Sequence, residues 1–244
     1  MKKALLFGLC LVFSFPAFSQ VSEMMGFRDF RDVADAYYVK FQNNSKFDLS
    51  DIQGSPFLNE EFAFGNILEN KSMKKVETNL RYDMYKDLFE IQLESGSETI
   101  NTLDRTKNID YYLNGEKFVL IQSRIININH YDSGNGYVVE LIPENDNAAL
   151  YKRYYVDIKP GSKANTSYEV EIPPSIKKKV MYIVKIENDY YELPANKKEI
   201  VEVFLDNQND LKSYIKEKKF KFKGDEKEVQ DQMVQLVRYY NSLD

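Results

Sequence analysis

Between residues 57 and 194 apolar residues recur at every second position, and turn-forming residues interrupt them at short intervals. That pattern restricts the middle of the chain to short antiparallel strands. Leu80, Tyr82 and Met84 alternate with polar neighbours, and Phe89, Ile91 and Leu93 do so after a break at Tyr85-Lys86-Asp87. The sharpest local signal is Asn114-Gly115, with Asp110-Tyr111-Tyr112-Leu113 before it and an apolar run from Glu116 to Ile121 after it. Asn-Gly adopts the positive φ angles of a type I′ turn, whose twist matches that of paired strands. A second hairpin is predicted through Asp132-Ser133-Gly134-Asn135-Gly136, joining residues 125–131 to 137–142. Further strands are predicted over 150–158, 168–172, 180–186 and 190–193.

The period changes on either side. Phe27, Phe30, Val33, Ala34, Tyr37, Tyr38 and Phe41 fall at three- and four-residue steps and predict a helix, ended by Asn43-Asn44-Ser45. Gly54-Ser55-Pro56 is a turn. Beyond Pro194, residues 197–205 and 210–218 read as two short helices. Residues 226–240 read as a longer one, with Val229, Met233, Leu236, Val237 and Tyr240 on one face. Asp225 and Glu228 fit a capping box at its start. The expected class is α+β: a predominantly antiparallel sheet (meander, sandwich or open barrel) with an N-terminal helix and a C-terminal helical tail. The organisation read from these changes is 1–19, a leader; 20–53, a helical lead-in; 54–194, the β domain; and 195–244, a tail packed on the sheet.

The leader has the layout of a secretory signal peptide. Lys2 and Lys3 precede an apolar run over residues 4–15, and Ala17 and Ser19 supply small residues at −3 and −1 before Gln20. Cleavage is predicted between Ser19 and Gln20, with delivery to the periplasm, the periphery of the outer membrane or the exterior. The run is short for a membrane span, and no second apolar segment follows. Cys10, the only cysteine, lies inside the leader, so the mature chain would carry no disulfide, thiolate nucleophile or cysteine-bound zinc. Leu9 stands where a lipid-attached cysteine needs a small residue. Loss of Lys2 and Lys3 makes the formal charge of −5 more negative by two. An acidic balance argues against nucleic acid as a partner.

Gly54-Ser55-Pro56-Phe57-Leu58-Asn59-Glu60-Glu61-Phe62, the block from Leu80 to Glu90, and Leu150-Tyr151-Lys152-Arg153-Tyr154 together resemble a family of exported proteins of Bacteroidota with no assigned activity. The resemblance covers most of the mature chain and implies an envelope location.

Groups suited to catalysis are sparse. His130, the only histidine, stands beside Tyr131 and Asp132, but neither Ser123 nor Ser133 lies in a Gly-x-Ser-x-Gly elbow. A polar residue at a strand end accounts for His130 more simply. Asp132, Asn135 and Asp146 offer oxygens to calcium without the spaced acidic series an EF-hand needs. Glu60, Glu61, Asp83, Asp87 and Glu90 are the carboxylates from which a hydrolytic pair would be drawn. The basic run from Lys216 to Lys223 interleaves Phe220 and Phe222; a solvated edge with both rings turned inward explains it. Lys177-Lys178-Lys179 reads as an exposed turn.

Tyrosine doublets are more suggestive. Tyr37-Tyr38, Tyr111-Tyr112, Tyr154-Tyr155, Tyr190-Tyr191 and Tyr239-Tyr240 recur along the chain. Within a strand each doublet sends one ring to either face, and tyrosine is enriched at protein interfaces. The expectation is an exported, non-enzymatic envelope protein that binds a protein partner of the periplasm or outer membrane through Tyr111, Tyr112, Tyr154 and Tyr155. No cofactor, metal ligand or catalytic residue is assigned. The alternatives are a carrier of an apolar ligand in a β cavity and a carboxylate-based hydrolase.

Overall fold

Asn114 (φ 53°) and Gly115 (φ 80°) take the two left-handed positions of a tight hairpin, and the strand register extends outwards from that turn. In a computed structural model, residues 52–126, 134–144, 147–162 and 170–243 are described. The strands are β1 (Ala63–Glu69), β2 (Lys74–Asp83), β3 (Leu88–Gln92), β4 (Ile109–Leu113), β5 (Glu116–Gln122), β6 (Asn135–Ile142), β7 (Ala148–Lys159), β8 (Ser175–Ile186) and β9 (Asp189–Leu193). The helices are α1 (Glu199–Glu202), α2 (Gln208–Glu217) and α3 (Glu226–Asn241).

All nine strands join one open antiparallel sheet in the order β3-β2-β1-β4-β5-β6-β7-β8-β9. The architecture is therefore α+β, with a sheet rather than a two-layer sandwich. β4 to β9 run as a meander, but the first three strands are reversed, so the β3–β4 connection returns to pair β4 with β1. The predicted second hairpin is corrected. β5 pairs directly with β6, Leu120 opposite Tyr137, and Ile125 and Ile126 lie in a turn in which the Ile126 N–H donates to Ser123 O at 3.1 Å. Lys177, Lys178 and Lys179 sit within β8 rather than in a turn, with Lys179 paired to Asp157 at 2.8 Å. The expected N-terminal helix, Cys10, His130, Asp132, Ser133 and Asp146 lie outside the described residues.

β7 organises the interior. Residues 148–153 are all buried, so both of its faces are covered there. Its even-numbered residues share one face with two cores. At one end Val156 joins Ile67, Leu80, Tyr82, Phe89, Tyr111, Phe118 and Tyr137. At the other, Ala148 and Leu150 pack under Phe204, Leu211, Ile215, Met233 and Leu236 of the helical tail. The odd-numbered face carries a third cluster, with Ile121, Val138, Ala149, Tyr151 and Ile183. A strap over residues 52–58 runs across the first core. Gln53 pairs with β8 through Pro174 O and the Ile176 N–H, at 2.9 and 2.8 Å, and Leu58 donates to Tyr82 O of β2 at 3.0 Å.

Phe220 and Phe222 turn inward, as the basic run required, and both are buried. The long helix begins as expected: the Asp225 carboxylate accepts from the Glu228 N–H at 2.8 Å. Only half of the capping box forms, since the Glu228 side chain accepts from Gln232 at 3.1 Å.

Candidate functional site

The first core is filled by stacked rings. Phe89 lies parallel to Tyr111 at 4.0 Å, Tyr82 stacks on Phe89 at 4.9 Å, and Tyr137 meets Tyr111 edge-on at 5.5 Å. A carboxylate is embedded beside them. Asp87, fully buried, sits in the left-handed region (φ 54°) at the β2–β3 turn. It accepts from the Tyr82 hydroxyl, from Arg105 Nη2 at 2.6 Å and from the Tyr137 N–H at 3.2 Å. Arg105 also donates to Asn135 O at 2.7 Å, tying the turn to β6. Burial first, then the Asp87 charge, raises the Tyr82 hydroxyl well above the usual phenol range. Every oxygen of this carboxylate is occupied from within, which suits a structural anchor better than an acid or base facing substrate.

The other expected carboxylates do not converge either. Asp83 accepts from the Tyr85 and Lys86 N–H groups at 2.9 Å each, closing its own turn. Burial raises its pKa. Glu90 is held by Arg81 at 2.5 Å, and Glu60 and Glu61 are exposed. Among the described residues no group of three or more His, Cys, Asp or Glu side chains is placed to hold a metal ion.

A second polar cluster marks the seam between the two cores on the even face of β7. Lys152, 2% exposed, reaches Glu116 of β5 at 2.5 Å and Glu226, the first residue of α3, at 3.3 Å. The Tyr154 hydroxyl donates to the same two carboxylates at 3.1 and 3.2 Å. Tyr182 donates to Glu226 O at 3.4 Å. Burial and both glutamates raise the Tyr154 hydroxyl, which stays protonated. The cluster pins the start of α3 to the sheet. On the opposite face Arg153 is 3% exposed, and its Nη1 has no partner among the described residues.

The tyrosines picked from the sequence are split by the strand alternation. Tyr111 is buried among the core rings, Tyr154 belongs to the seam, and Tyr112 and Tyr155 are half-buried on the opposite face of the sheet. They form no single patch.

The sequence reading of Lys216 to Lys223 as a solvated edge misses a depression of 440 Å³ beside α2, to which Lys197 and Lys212 also contribute. Lys197, Lys212, Lys216, Lys219 and Lys221 surround it, with Ile215 at its base. None of the five is within ion-pair distance of a carboxylate among the described residues. Two of the lysines share a helix face one turn apart, and Lys219 and Lys221 come from the turn that follows. That turn is fixed. The Phe220 N–H donates to Ile215 O at 3.1 Å, as in a Schellman ending. The buried Gln232 carboxamide accepts from Lys221 N at 3.0 Å and Phe222 N at 2.7 Å. The sequence signal that points here is local: residues 197–223 carry eight lysines against five acids in a chain of net charge −5.

No protein-family model, curated protein or solved structure matches this chain. No helix among the described residues is long and apolar enough to cross a membrane.

Proposed function

We propose that the protein is a non-enzymatic binding protein of the cell envelope that holds an anionic partner in the lysine-rimmed depression beside α2. The carrying observation is the distribution of compensated charge. Asp87, Glu90, Glu116 and Lys152 are each neutralised by a neighbour inside the fold, whereas five ammonium groups around Ile215 are not. Clustered like charge on an otherwise acidic protein is relieved by a bound anion and attracts one at a distance. The leader and the resemblance to exported proteins support the envelope as the place of action. The core rings fill the first core by stacking on one another, which favours a surface site over a ligand enclosed beneath the sheet.

The test is chromatography on a sulfated polyanion matrix at neutral pH. With a net charge of −5 the protein should flow through unless a local patch binds. Retention at low salt is expected, with release as the Debye length shrinks below the patch size, and Lys212→Glu/Lys216→Glu should abolish it. Flow-through of the wild type, or equal retention of the variant, overturns the reading. Location is tested by N-terminal sequencing of protein from cell fractions. Envelope material beginning at Gln20 is expected, and a cytoplasmic chain retaining the leader refutes export.

A further inference from the structure

We infer that the ligand of this depression is a compact anion carrying clustered phosphate groups. The inference rests on the binding reading above and narrows it. Three features of the rim select the chemistry.

First, every cation on it is a lysine. Planar carboxylates are best gripped by the rigid fork of arginine, whereas the ammonium is a point charge that meets a phosphate oxygen from any direction. Second, no aromatic ring lines the depression. Tyr214 is stacked on Tyr239 at 4.0 Å, and Phe220 is buried against Phe222. Bases and sugar rings would therefore find no stacking surface. Third, the volume of 440 Å³ suits a headgroup-sized ligand rather than a polymer groove.

The backbone adds an independent pointer. Lys219 ends α2 in the left-handed conformation, φ 56°, a position that glycine fills without steric cost. Lysine there sacrifices local stability and contributes an ammonium to the rim. The Gln232 carboxamide then holds the following residues, so Lys219 and Lys221 are presented by a preorganised turn rather than by a loose tail. Stability and binding should consequently respond in opposite directions at residue 219.

The experiment is isothermal titration of the purified protein with inositol hexakisphosphate as probe and citrate as the carboxylate comparison. A vesicle arm uses phosphatidylcholine with and without a bisphosphorylated inositol lipid. The probe should bind far more tightly than citrate. Lys212→Ala/Lys216→Ala should weaken binding by about tenfold or more, and the salt dependence should flatten. Lys219→Gly should lose affinity several-fold while its Tm stays equal or rises. A merely structural lysine would not give that combination. Binding of the soluble probe alone identifies a free phosphorylated ligand, and added binding to the lipid-bearing vesicles identifies a headgroup. Failure of both arms, citrate binding equal to the probe, or unchanged affinity in Lys219→Gly overturns the inference. If retention on the polyanion matrix persists in that case, the broader reading survives without it.

Discussion

Replacing Asp87 by alanine removes an acceptor used by three donors at once. The Tyr82 hydroxyl and the Tyr137 N–H would stay buried without a partner, at a cost of about 1–3 kcal/mol each. Arg105, whose side chain is 24% exposed, can turn to water. Only a fraction of the ~3–5 kcal/mol typical of breaking a buried pair then applies. Alanine at φ 54° adds about 1 kcal/mol, because its Cβ crowds the following carbonyl. The expected total is about 4 kcal/mol, a large share of the ~5–15 kcal/mol that holds a domain together. Asp87→Asn keeps one acceptor oxygen and a residue type that tolerates the left-handed region, so about 1–2 kcal/mol should be lost. Urea unfolding followed by far-UV circular dichroism measures both, with an unchanged m value as the sign that only stability moved. Thermal unfolding of the alanine variant should fall by about 8–16 °C. A loss below about 1 kcal/mol for alanine, or equal losses for the two variants, would refute the anchoring role and the backbone argument respectively.

Asp83 gives a pH-dependent case. Burial raises its pKa in the folded state above the unfolded value, so the folded chain binds this proton more tightly. Its contribution is most favourable at low pH and declines as pH rises through the folded pKa. Asp83→Asn retains the acceptor for the Tyr85 and Lys86 amides and removes the buried charge at Oδ2, which has no hydrogen-bond donor and only a long ion pair, 3.7 Å, to the partly exposed Lys86 Nζ that can turn to water. It should be neutral to stabilising by about 1 kcal/mol at pH 7, with the gain vanishing in acid. Destabilisation at pH 7 in urea titrations would count against this account. Lys152→Met should destabilise by about 2 kcal/mol, because Glu116 and Glu226 are partly exposed and can rehydrate. Amide exchange should accelerate first in the opening turn of α3; uniform acceleration across the sheet would mean the seam is not a local latch. Gly136→Ala would place a Cβ 2.0 Å from Arg153 Nη1 and 2.7 Å from Ile126 Cγ2, costing about 1–3 kcal/mol as an overpacked site. Unaltered thermal unfolding would show that Arg153 moves freely.

Much of the sheet could be read directly from residue order, because a hairpin is a local object. Asn114-Gly115, the break at Tyr85-Lys86-Asp87 and the inward Phe220 and Phe222 each depend on neighbours a few residues away. The β5–β6 pairing was harder. The apolar residues continue through Ile121, Ile125 and Ile126, so periodicity alone could not show where β5 stops. β1 was blurred by Gly65 and Asn66, which break the alternation of a strand that the register with β2 and β4 holds in place. The polar sites were the least legible. Lys152 reads as a surface residue until Glu116 and Glu226, 36 and 74 residues away, are brought to it. In the sequence Lys216, Lys219 and Lys221 form a linear run, and only the folding of α2 and its pinned turn brings Lys197 and Lys212 to the same rim.

The strap over residues 52–58 has a consequence for the order of assembly. It touches β2 and β8, which have five strands between them in the sheet. Lys178 Nζ donates to Leu58 O at 3.0 Å across a separation of 120 residues. The strap leaves the ribosome before any strand and can pair with β2 early, through Leu58 and Pro56. Its Gln53 end has no partner until β8 exists, so the strap is completed only once eight strands are made. β2 and β8 are therefore tied to one another from outside the sheet's own ladder. A protease cut between Gln53 and Leu58 would sever no strand, yet it would release the covalent tie that bridges β2 and β8 from outside the ladder.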